Sequence, residues 1–455
     1  MSERTDQFLK RSHSPPWKPV KRVAPGESPQ TPTEKAPDPE LGTGVIDARR
    51  YTSADFLRLE WERMWTKVWL LGGREADVPD AGDFLVTEIG RESIILVRQP
   101  DGAVRGFFNV CQHRGNRLAD CGVHKAAESK TFRCQYHHWE YALDGTFHRL
   151  PDLDTFPQGA PPYALTSVRC ETWGGFIWFT LDEQAPPLRQ FLAPIDFHLE
   201  PYGFARMVQT RDITVEWHCN WKASVDAFNE SYHVQGIHPQ LMWYLHDLDI
   251  QIDCYERHSR YLIPFATLSP RVRRPPSIPE PIKVIMKTAG MDPADYDGRI
   301  EDIRRDVQRW KRQHGATQGR DYSRLNDDQL TDDYHYTIFP NLSLNLHADD
   351  FWVFRQRPHP TDPDRMFYDI WTFELVPDGQ EWPRRARHQH FRHGDKSIGL
   401  VLDQDAANLP GVQAGMHSQG YRGLWLGKQE LRIRHFHKVI DNYLYGPGGK
   451  PEGAL

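Results

Sequence analysis

The chain has 455 residues, 39% hydrophobic and 12% aromatic, which is ample for two or more compact units with sizeable cores. Its formal net charge of −6, without a long basic run, argues against nucleic acid or an anionic membrane as the main partner. No run of about 18 apolar residues occurs, so no membrane span is expected. The amino terminus, MSERTDQFLKRSHSPPWKPVKR, lacks the apolar segment of a secretory signal. A cytoplasmic, reducing location is therefore expected, in which clustered cysteines bind metal more readily than they form disulfides.

Residues 1–43 are rich in Pro, Lys, Glu, Ser and Thr and are expected to be disordered, because they cannot bury enough apolar surface to offset their ordering entropy. Order is expected from YTSADFLRLEWERMWTKVW, where Ser53 is placed to cap a helix and Phe56, Leu57, Leu59, Met64 and Trp65 share one broad face. From Gly82 the pattern shortens into strands: DFLVTEI, ESIILVR, a QPDG turn and VRGFFNV, continuing to GGFIWFTLD. Residues 44–182 thus read as one small β-rich domain. After the proline-marked EQAPPLRQFLAPI, residues 183–455 read as α+β. There NWKASVDAFNESYHV (220–234) reads as a helix and 270–330 as charged loop or helix. HYTIFPNLSLNLH, DFWVFRQRPH and RMFYDIWTFELV read as antiparallel strands, and GKQELRIRHFHKVIDNYLYG as an amphipathic helix.

Between Asn109 and Tyr141, three of the six cysteines and four histidines fall within 33 residues. Cys111-x-His113 and Cys134-x-x-His137 each offer one thiolate and one imidazole. A tetrahedral zinc site is one use for such a set. Zinc ligands commonly come as two close cysteines followed by two histidines, whereas here each loop supplies one of each. That arrangement suits a Rieske [2Fe–2S] centre, in which one iron takes both thiolates and the other both imidazoles. CQHRG and CQYHHW resemble the two ligand boxes of the large (alpha) subunit of Rieske-type non-haem iron ring-hydroxylating oxygenases. By that resemblance Cys111 and Cys134 bind one iron, His113 and His137 the other. Gln135 and His138 depart from the proline and glycine usual in the second box. Cys121 and His124, in the insert between the boxes, read as structural.

Further along, DAFNESYHVQGIHP contains Glu230, His233 and His238. Two histidines with a distant carboxylate form a facial triad that leaves open positions on iron(II). On an ideal helix Glu230 and His233 lie about 60° apart, but His233 and His238 about 140° apart. The helix must therefore end or bulge between the two histidines, and Gly236 and Pro239 give it reason to do so. A di-iron site would need a second Glu-x-x-His, and none is found.

NWKASVDAFNESYHVQGIH also resembles the same family's catalytic box. The resemblance implies His233 and His238 as ligands of a mononuclear Fe(2+). It makes Glu230 the carboxylate bridging an iron histidine to a cluster histidine, a place where many members carry Asp. Asp226 takes the position where members often have an Asn near the iron. For the third ligand, VLDQDAANLPGVQAG offers Asp403 and Asp405. Family members have a Gln about eight residues beyond the acidic ligand, and Gln413 lies eight after Asp405, so Asp405 is chosen and Asp403 held in reserve.

The resemblance spans roughly 50–445 and implies a small all-β Rieske domain followed by a helix-grip catalytic domain with an antiparallel sheet. It further implies a homotrimer, or an α3β3 assembly with a small subunit, in which one chain's cluster serves its neighbour's iron. Electrons would come from NAD(P)H through a separate reductase or ferredoxin, since no Gly-x-Gly-x-x-Gly fingerprint follows a strand. O2 would be used to hydroxylate a small hydrophobic organic substrate, with ring cis-dihydroxylation favoured over a monooxygenase or demethylase reaction. Met242, Trp243, Leu342, Leu344, Leu346, Phe351 and Leu402 are candidate pocket residues, and Arg355 and Arg357 candidate carboxylate binders. An iron–sulfur electron carrier or structural zinc protein is the non-enzymatic alternative, and the long second domain argues against it.

Overall fold

The computed structural model of the protein describes residues 34–125, 131–248, 250–447 and 449. The chain forms two compact units: Leu59–Ala193, and the described residues up to Arg58 together with those from Pro194 onward. This division differs from 44–182 and 183–455 at both ends, for local reasons. The Tyr51 carbonyl accepts hydrogen bonds from Asn220 Nδ2 (2.9 Å) and Gln413 Nε2 (3.2 Å), which tie Arg49–Arg58 to the second unit. The proline-marked connection folds back on the first unit, where the Leu188 N–H donates to Glu171 Oε2 (3.0 Å) and Leu188, Phe191 and Leu192 are buried.

In the first unit a seven-stranded sheet runs in the spatial order Leu70–Arg74, Phe176–Thr180, Ser167–Trp173, Val104–Phe108, Glu92–Arg98, Phe84–Ile89, Gly122–His124. A three-stranded sheet is made of Thr131–Arg133, Glu140–Ala142 and Phe147–Arg149, and all pairings in both sheets are antiparallel. Ile94, Ile95, Leu96 and Val97 are all fully buried, so that strand is covered on both faces and reads as a continuous apolar run.

Ser53 Oγ accepts the Phe56 N–H (3.2 Å) at the start of the helix Ala54–Glu60, the capping expected of it. The next turn, Trp61–Trp65, widens to a π-helix, with Met64 and Trp65 buried.

The second unit carries an eight-stranded sheet in the order Gln251–Cys254, Ser259–Ile263, Asp333–Ile338, Leu342–Leu346, Asp350–Pro358, Met366–Leu375, Met207–Trp217, Gln389–Arg392. Every pairing is antiparallel except the last, where Gln389–Arg392 runs parallel along the edge. Three helices matter for the site: α1 (Trp221–Ala227), α2 (Leu400–Met416) and α3 (Leu431–Tyr445). On α3, Ile433, Phe436, Ile440 and Leu444 recur at helical spacing and are all buried. Each contributes roughly 1.5–3 kcal/mol of burial. Arg432, fully buried on the same helix, donates to Thr337 Oγ1 (2.6 Å) and Ser259 Oγ (3.0 Å) and lies 4.4 Å over the Tyr261 ring, so α3 is fastened to the sheet by polar bonds as well.

Two sequence expectations need correction. Of the leader expected to be disordered, residues 1–33 lie outside the described residues, but Lys35 and Ala36 are buried. The Ala36 N–H donates to Asp253 Oδ1 (2.7 Å), and Arg260 Nη2 donates to the Glu34 carbonyl (2.8 Å). The buried Asp253–Arg260 pair has hydrogen-bonding capacity left over, and this segment fills it.

The helix expected over 220–234 stops at Ala227. Beyond it Asn229 Oδ1 accepts from Thr337 Oγ1 (2.7 Å) and Ser231 Oγ donates to the Asp247 carbonyl (3.1 Å), drawing the chain off the helical path. A four-residue turn, Val234–Ile237, precedes His238, so the break falls ahead of His233 rather than only between the two histidines.

Candidate metal centres

In the first unit, two loops present the Cys/His pairs in matching ways. The Gly115 N–H donates to the Cys111 carbonyl (3.0 Å), and the His138 N–H to the Cys134 carbonyl (2.9 Å). Both closing residues are left-handed, with φ of +77° at Gly115 and +57° at His138. A glycine suits that position because it lacks a Cβ, which explains why His138 is a departure. Replacing the exposed His138 with glycine is expected to raise unfolding stability by roughly 0.5–1 kcal/mol, the relief of left-handed strain less the entropy glycine gains in the unfolded chain. A denaturant midpoint that falls, or a lost cluster spectrum, would contradict this account of the loop.

Cys111 and Cys134 are buried and not in disulfides. The His113 and His137 rings stand 4.6 Å apart, and the Nδ1 atom of each is buried without a hydrogen-bond partner. His113 stacks on Trp139 at 4.6 Å. Burial, with His137 and Arg114 nearby, pushes His113 below its ordinary pKa and keeps the imidazole neutral, as a ligand must be. Two buried thiols and two orphaned ring nitrogens are the donor set a [2Fe–2S] group requires. Cys121 and His124 stand aside, Cys121 Sγ toward the Val86 carbonyl and His124 stacked on Phe84 at 4.5 Å.

Tyr141 completes this site and was not singled out from sequence. Its oxygen accepts the Gln112 N–H (3.0 Å), which leaves the phenolic proton for Cys111 Sγ at 3.5 Å. Burial pushes the Cys111 thiol up, opposed by the Tyr141 bond and the His113 backbone. Tyr141→Phe is expected to lower the cluster's reduction potential by about 40 mV, one sulfur hydrogen bond of about 1 kcal/mol in a one-electron couple. Redox titration followed by electron paramagnetic resonance checks this, and an unchanged or raised potential refutes it.

In the second unit, His233, His238 and Asp405 bring one donor atom each to within 4.8 Å of the others. Both histidines approach through Nε2: His238 Nε2 is 3.0 Å and His233 Nε2 4.0 Å from Asp405 Oδ1. The other ring nitrogen of each is held from behind. Glu230 Oε1 takes His233 Nδ1 (2.6 Å), while its Oε2 accepts the His233 backbone N–H (2.9 Å). Gln404 Oε1 takes His238 Nδ1 (2.8 Å). With Nδ1–H committed to an acceptor, each imidazole offers its Nε2 lone pair, the arrangement metal-binding histidines use.

Burial would depress His233, but its bond to Glu230 and the charges of Glu230 and Asp405 together push it up. Gln404 was missed by sequence reasoning; only its place beside Asp405 on α2 hinted at it. Asp403 points elsewhere, its Oδ1 accepting the Ile398 N–H (2.8 Å) ahead of the helix. Gln413, used to choose between the two aspartates, accepts the Asn220 N–H (2.9 Å) and supports the start of α1.

The three donors open onto a cavity of about 230 Å3. Aromatic rings such as Phe228, Tyr244, Tyr261 and Trp352 and aliphatic side chains such as Leu241 and Ile263 together give it a mainly apolar wall. Among the pocket residues expected from sequence, only Leu402 lines it. Leu342, Leu344, Leu346 and Phe351 lie on the opposite faces of their strands, in the core, while Asn345, Trp352 and Phe354 face the cavity. Arg355 and Arg357 both bind Asp369, each through Nε at 2.7 Å, and neither lines the cavity. Asp226 does not line it either. Its carboxylate accepts from the Tyr51 hydroxyl, which also contacts His437 Nε2 (2.6 Å), in a buried cluster behind α1.

Comparison with known proteins agrees with both centres in kind. Residues 68–165 match a family model described as the Rieske [2Fe-2S] domain, and residues 204–446 one described as the ring hydroxylating alpha subunit (catalytic domain). The chain is 33% identical over 196 residues to the glycine betaine monooxygenase oxygenase subunit of Pseudomonas aeruginosa, covering 42% of this chain and 44% of that one. It is 34% identical over 200 residues to the biphenyl 2,3-dioxygenase subunit alpha of Rhodococcus jostii, covering 42% of each. These matches therefore span less than half the length of the relatives concerned. A longer match, 27% identical over 406 residues, covers 83% of this chain and 81% of the biphenyl dioxygenase subunit alpha of Paraburkholderia xenovorans.

Among solved structures, a quaternary ammonium Rieske monooxygenase in complex with L-carnitine superposes with a TM-score of 0.64 at 18% identity, covering 90% of this chain and 99% of that one. A naphthalene 1,2-dioxygenase from Rhodococcus sp. bound to indole gives 0.61 at 17%, covering 89% and 95%. At such identities the likeness establishes the fold.

Proposed function

The chain belongs to the ring-hydroxylating oxygenase alpha-subunit family, with its Rieske [2Fe-2S] domain and mononuclear-iron catalytic domain, and from that premise we propose that it is the oxygenase component that hydroxylates a small, hydrophobic, ring-containing molecule with O2. The observation that carries this reading is the convergence of His233, His238 and Asp405 within 4.8 Å at the wall of a mainly apolar cavity. Three protein ligands leave room on iron for other molecules, unlike a closed structural site. Cys111, Cys134, His113 and His137 would hold the cluster. When bound, the two groups supply single electrons and a site for O2 reduction.

The chain's own residues do the rest. Glu230 and Gln404 fix the two iron histidines in one tautomer. The apolar wall holds the substrate beside the ligand set and excludes water. Glu230 is also the bridging carboxylate toward a neighbouring subunit's cluster histidine, which requires a homotrimer or an α3β3 assembly. Electrons arrive from NAD(P)H through a ferredoxin, a reductase or both. A role in breaking down aromatic compounds in the cytoplasm fits this reading. No helix among the described residues is long and apolar enough to cross a membrane.

Ring cis-dihydroxylation is the favoured outcome. Monooxygenation or demethylation on the same scaffold is the second reading, supported by the 33% identity to a glycine betaine monooxygenase subunit. The test is to reconstitute the protein with a reductase and ferredoxin, supply ¹⁸O2 and a panel of one- and two-ring compounds, and weigh the products. Two labelled oxygens per molecule support dihydroxylation and one supports monooxygenation. Electron consumption without any labelled product would overturn the oxygenase reading.

A further inference from the structure

The cavity wall carries polar side chains besides the metal-site residues, and most of them are committed. Ser231 Oγ donates to the Asp247 carbonyl (3.1 Å). Asp333 accepts from Asn345 Nδ2 (2.8 Å) and from the Leu346 N–H (3.2 Å). His347 Nδ1 is held by Asp350 Oδ1 (2.9 Å), while His347 Nε2 and Asn345 Oδ1 are sealed inside the protein. Three wall residues keep a polar atom that is neither sealed nor hydrogen-bonded to any described residue: Tyr244, Tyr261 and Trp352. Tyr244 and Trp352 are half-buried, so their polar atoms have solvent available outside the cavity. Tyr261 does not, being only 6% exposed.

Tyr261 lies on the strand Ser259–Ile263, whose side chains alternate between two faces. Tyr261 and Ile263 line the cavity, while Arg260 between them turns to the buried Asp253 (2.7 Å). The Tyr261 ring is held in place. The Arg432 guanidinium sits 4.4 Å over it, and His335 stacks on it at 4.6 Å. It packs in one apolar cluster with Val234, the chain neighbour of His233, which sets it beside the metal centre. The Tyr255 and Tyr368 hydroxyls are sealed, but that of Tyr261 keeps accessible surface. In so buried a residue on the cavity wall, that surface belongs to the cavity. Burial pushes the phenol pKa up; Arg432 opposes this, and Asp333, Glu230 and Asp405 add to it, so the proton stays on. The cavity thus meets one neutral, fixed O–H without a partner. Buried polar groups are nearly always paired, and here the partner has to come from whatever fills the cavity.

We propose that Tyr261 is a specificity-determining residue, whose hydroxyl donates a hydrogen bond to an acceptor atom of the substrate. This rests on the oxygenase reading above and narrows its substrate class to neutral ring compounds that carry such an acceptor, a cyclic ketone or ether for example. Other classes match less well. A plain hydrocarbon would strip water from the O–H and leave it unpaired. A carboxylate supplies an acceptor but adds negative charge where Asp333, Glu230 and Asp405 already act on the hydroxyl. A quaternary ammonium has no lone pair to offer. The cavity, about 230 Å3, exceeds the roughly 150 Å3 that accommodates benzene and falls short of the roughly 300 Å3 at which drug-sized pockets begin. A one- or two-ring compound fits.

The test compares 1-indanone with indane, which differ by one carbonyl, in equilibrium dialysis against the purified holoprotein and its Tyr261→Phe variant. The substitution is expected to weaken 1-indanone binding by about fivefold to tenfold and to leave indane within about twofold. Infrared spectra of bound 1-indanone give a second reading. The carbonyl stretch is expected below its position in hexane in the wild type, and to move back toward it in Tyr261→Phe. Should that variant not fold, Tyr261→Met, also without a donor, takes its place. Equal losses for both probes, unchanged 1-indanone affinity, no 1-indanone binding to the wild type, or a carbonyl band indifferent to the substitution overturns the proposal. Binding is read without turnover, so the two ideas separate. A Tyr261-dependent preference without oxygenation of any compound would sink the oxygenase reading alone, and oxygenation with binding indifferent to Tyr261 would sink this proposal alone.

Discussion

Replacing His233 with alanine is expected to abolish oxygenation while leaving the absorption spectrum of the iron–sulfur cluster unchanged. His233 supplies one of three converging donors, and its Nε2 lies 4.0 Å from the Asp405 carboxylate that would share the ion. With two donors left, iron affinity falls and the remaining carboxylate and imidazole bond to each other, as the 3.0 Å His238–Asp405 contact already allows. Losing a group that only orients a metal ligand costs about 10–100-fold in affinity or activity, so losing the ligand itself is expected to cost more than about 100-fold. Cys111, His113, Cys134 and His137, the residues proposed to hold the cluster, belong to the other compact unit, which has its own sheets and its own core. Their spectrum is thus an internal control for folding. Total iron per chain should drop to what the cluster alone accounts for. Turnover that persists, or iron content that does not change, would mean that the His233, His238 and Asp405 cluster is not where the chemistry occurs.

How much of this was legible from sequence depended on the range of the interaction. The Cys/His loops are local: a cysteine, a histidine two or three residues on, and a turn closed at the fourth residue after the cysteine, so spacing draws attention to both pairs while the resemblance implies their roles. The strands in the first unit were legible because turn signals bracket short apolar runs. The end of α1 was not, because Asn229 and Ser231 leave the helix for Thr337 and the Asp247 carbonyl, partners remote in sequence or on a separate segment.

The pocket wall failed for another reason. Leu342, Leu344 and Leu346 are the apolar half of an alternating strand, and an apolar face usually marks the inside. Both faces of that strand are covered, however, and the cavity lies on the face that carries Asn345. Alternation separates two faces but does not say which one meets a ligand. Asp226 shows the same limit: its position in a motif placed it near the iron, while its hydrogen bonds place it with Tyr51 and His437.

Glu230→Gln is expected to reduce turnover by about 10–100-fold with most of the mononuclear iron retained. The carboxylate now performs two tasks on one residue. Oε2 accepts the His233 N–H at 2.9 Å and Oε1 the ring Nδ1–H at 2.6 Å, so a single side chain fixes both the backbone turn and the tautomer of the ligand. A carboxamide has only one acceptor oxygen, and its NH2 facing either donor is repulsive. The substituted side chain can therefore keep the turn or the tautomer, but not both. It also removes the negative charge that helps raise the His233 pKa, which makes the imidazole a weaker electron donor to a bound metal.

Glu230→Asp is the sharper variant. It keeps the charge but withdraws the carboxylate by one methylene, about 1.5 Å, so that the two bonds to His233 can no longer form together. If Glu230 also bridges to a neighbouring subunit's cluster, oxidation of the reduced cluster in single-turnover stopped flow should slow more than iron binding weakens. Equal losses in both would make Glu230 a holder of His233 alone. Wild-type rates in Glu230→Gln would remove it from the site altogether.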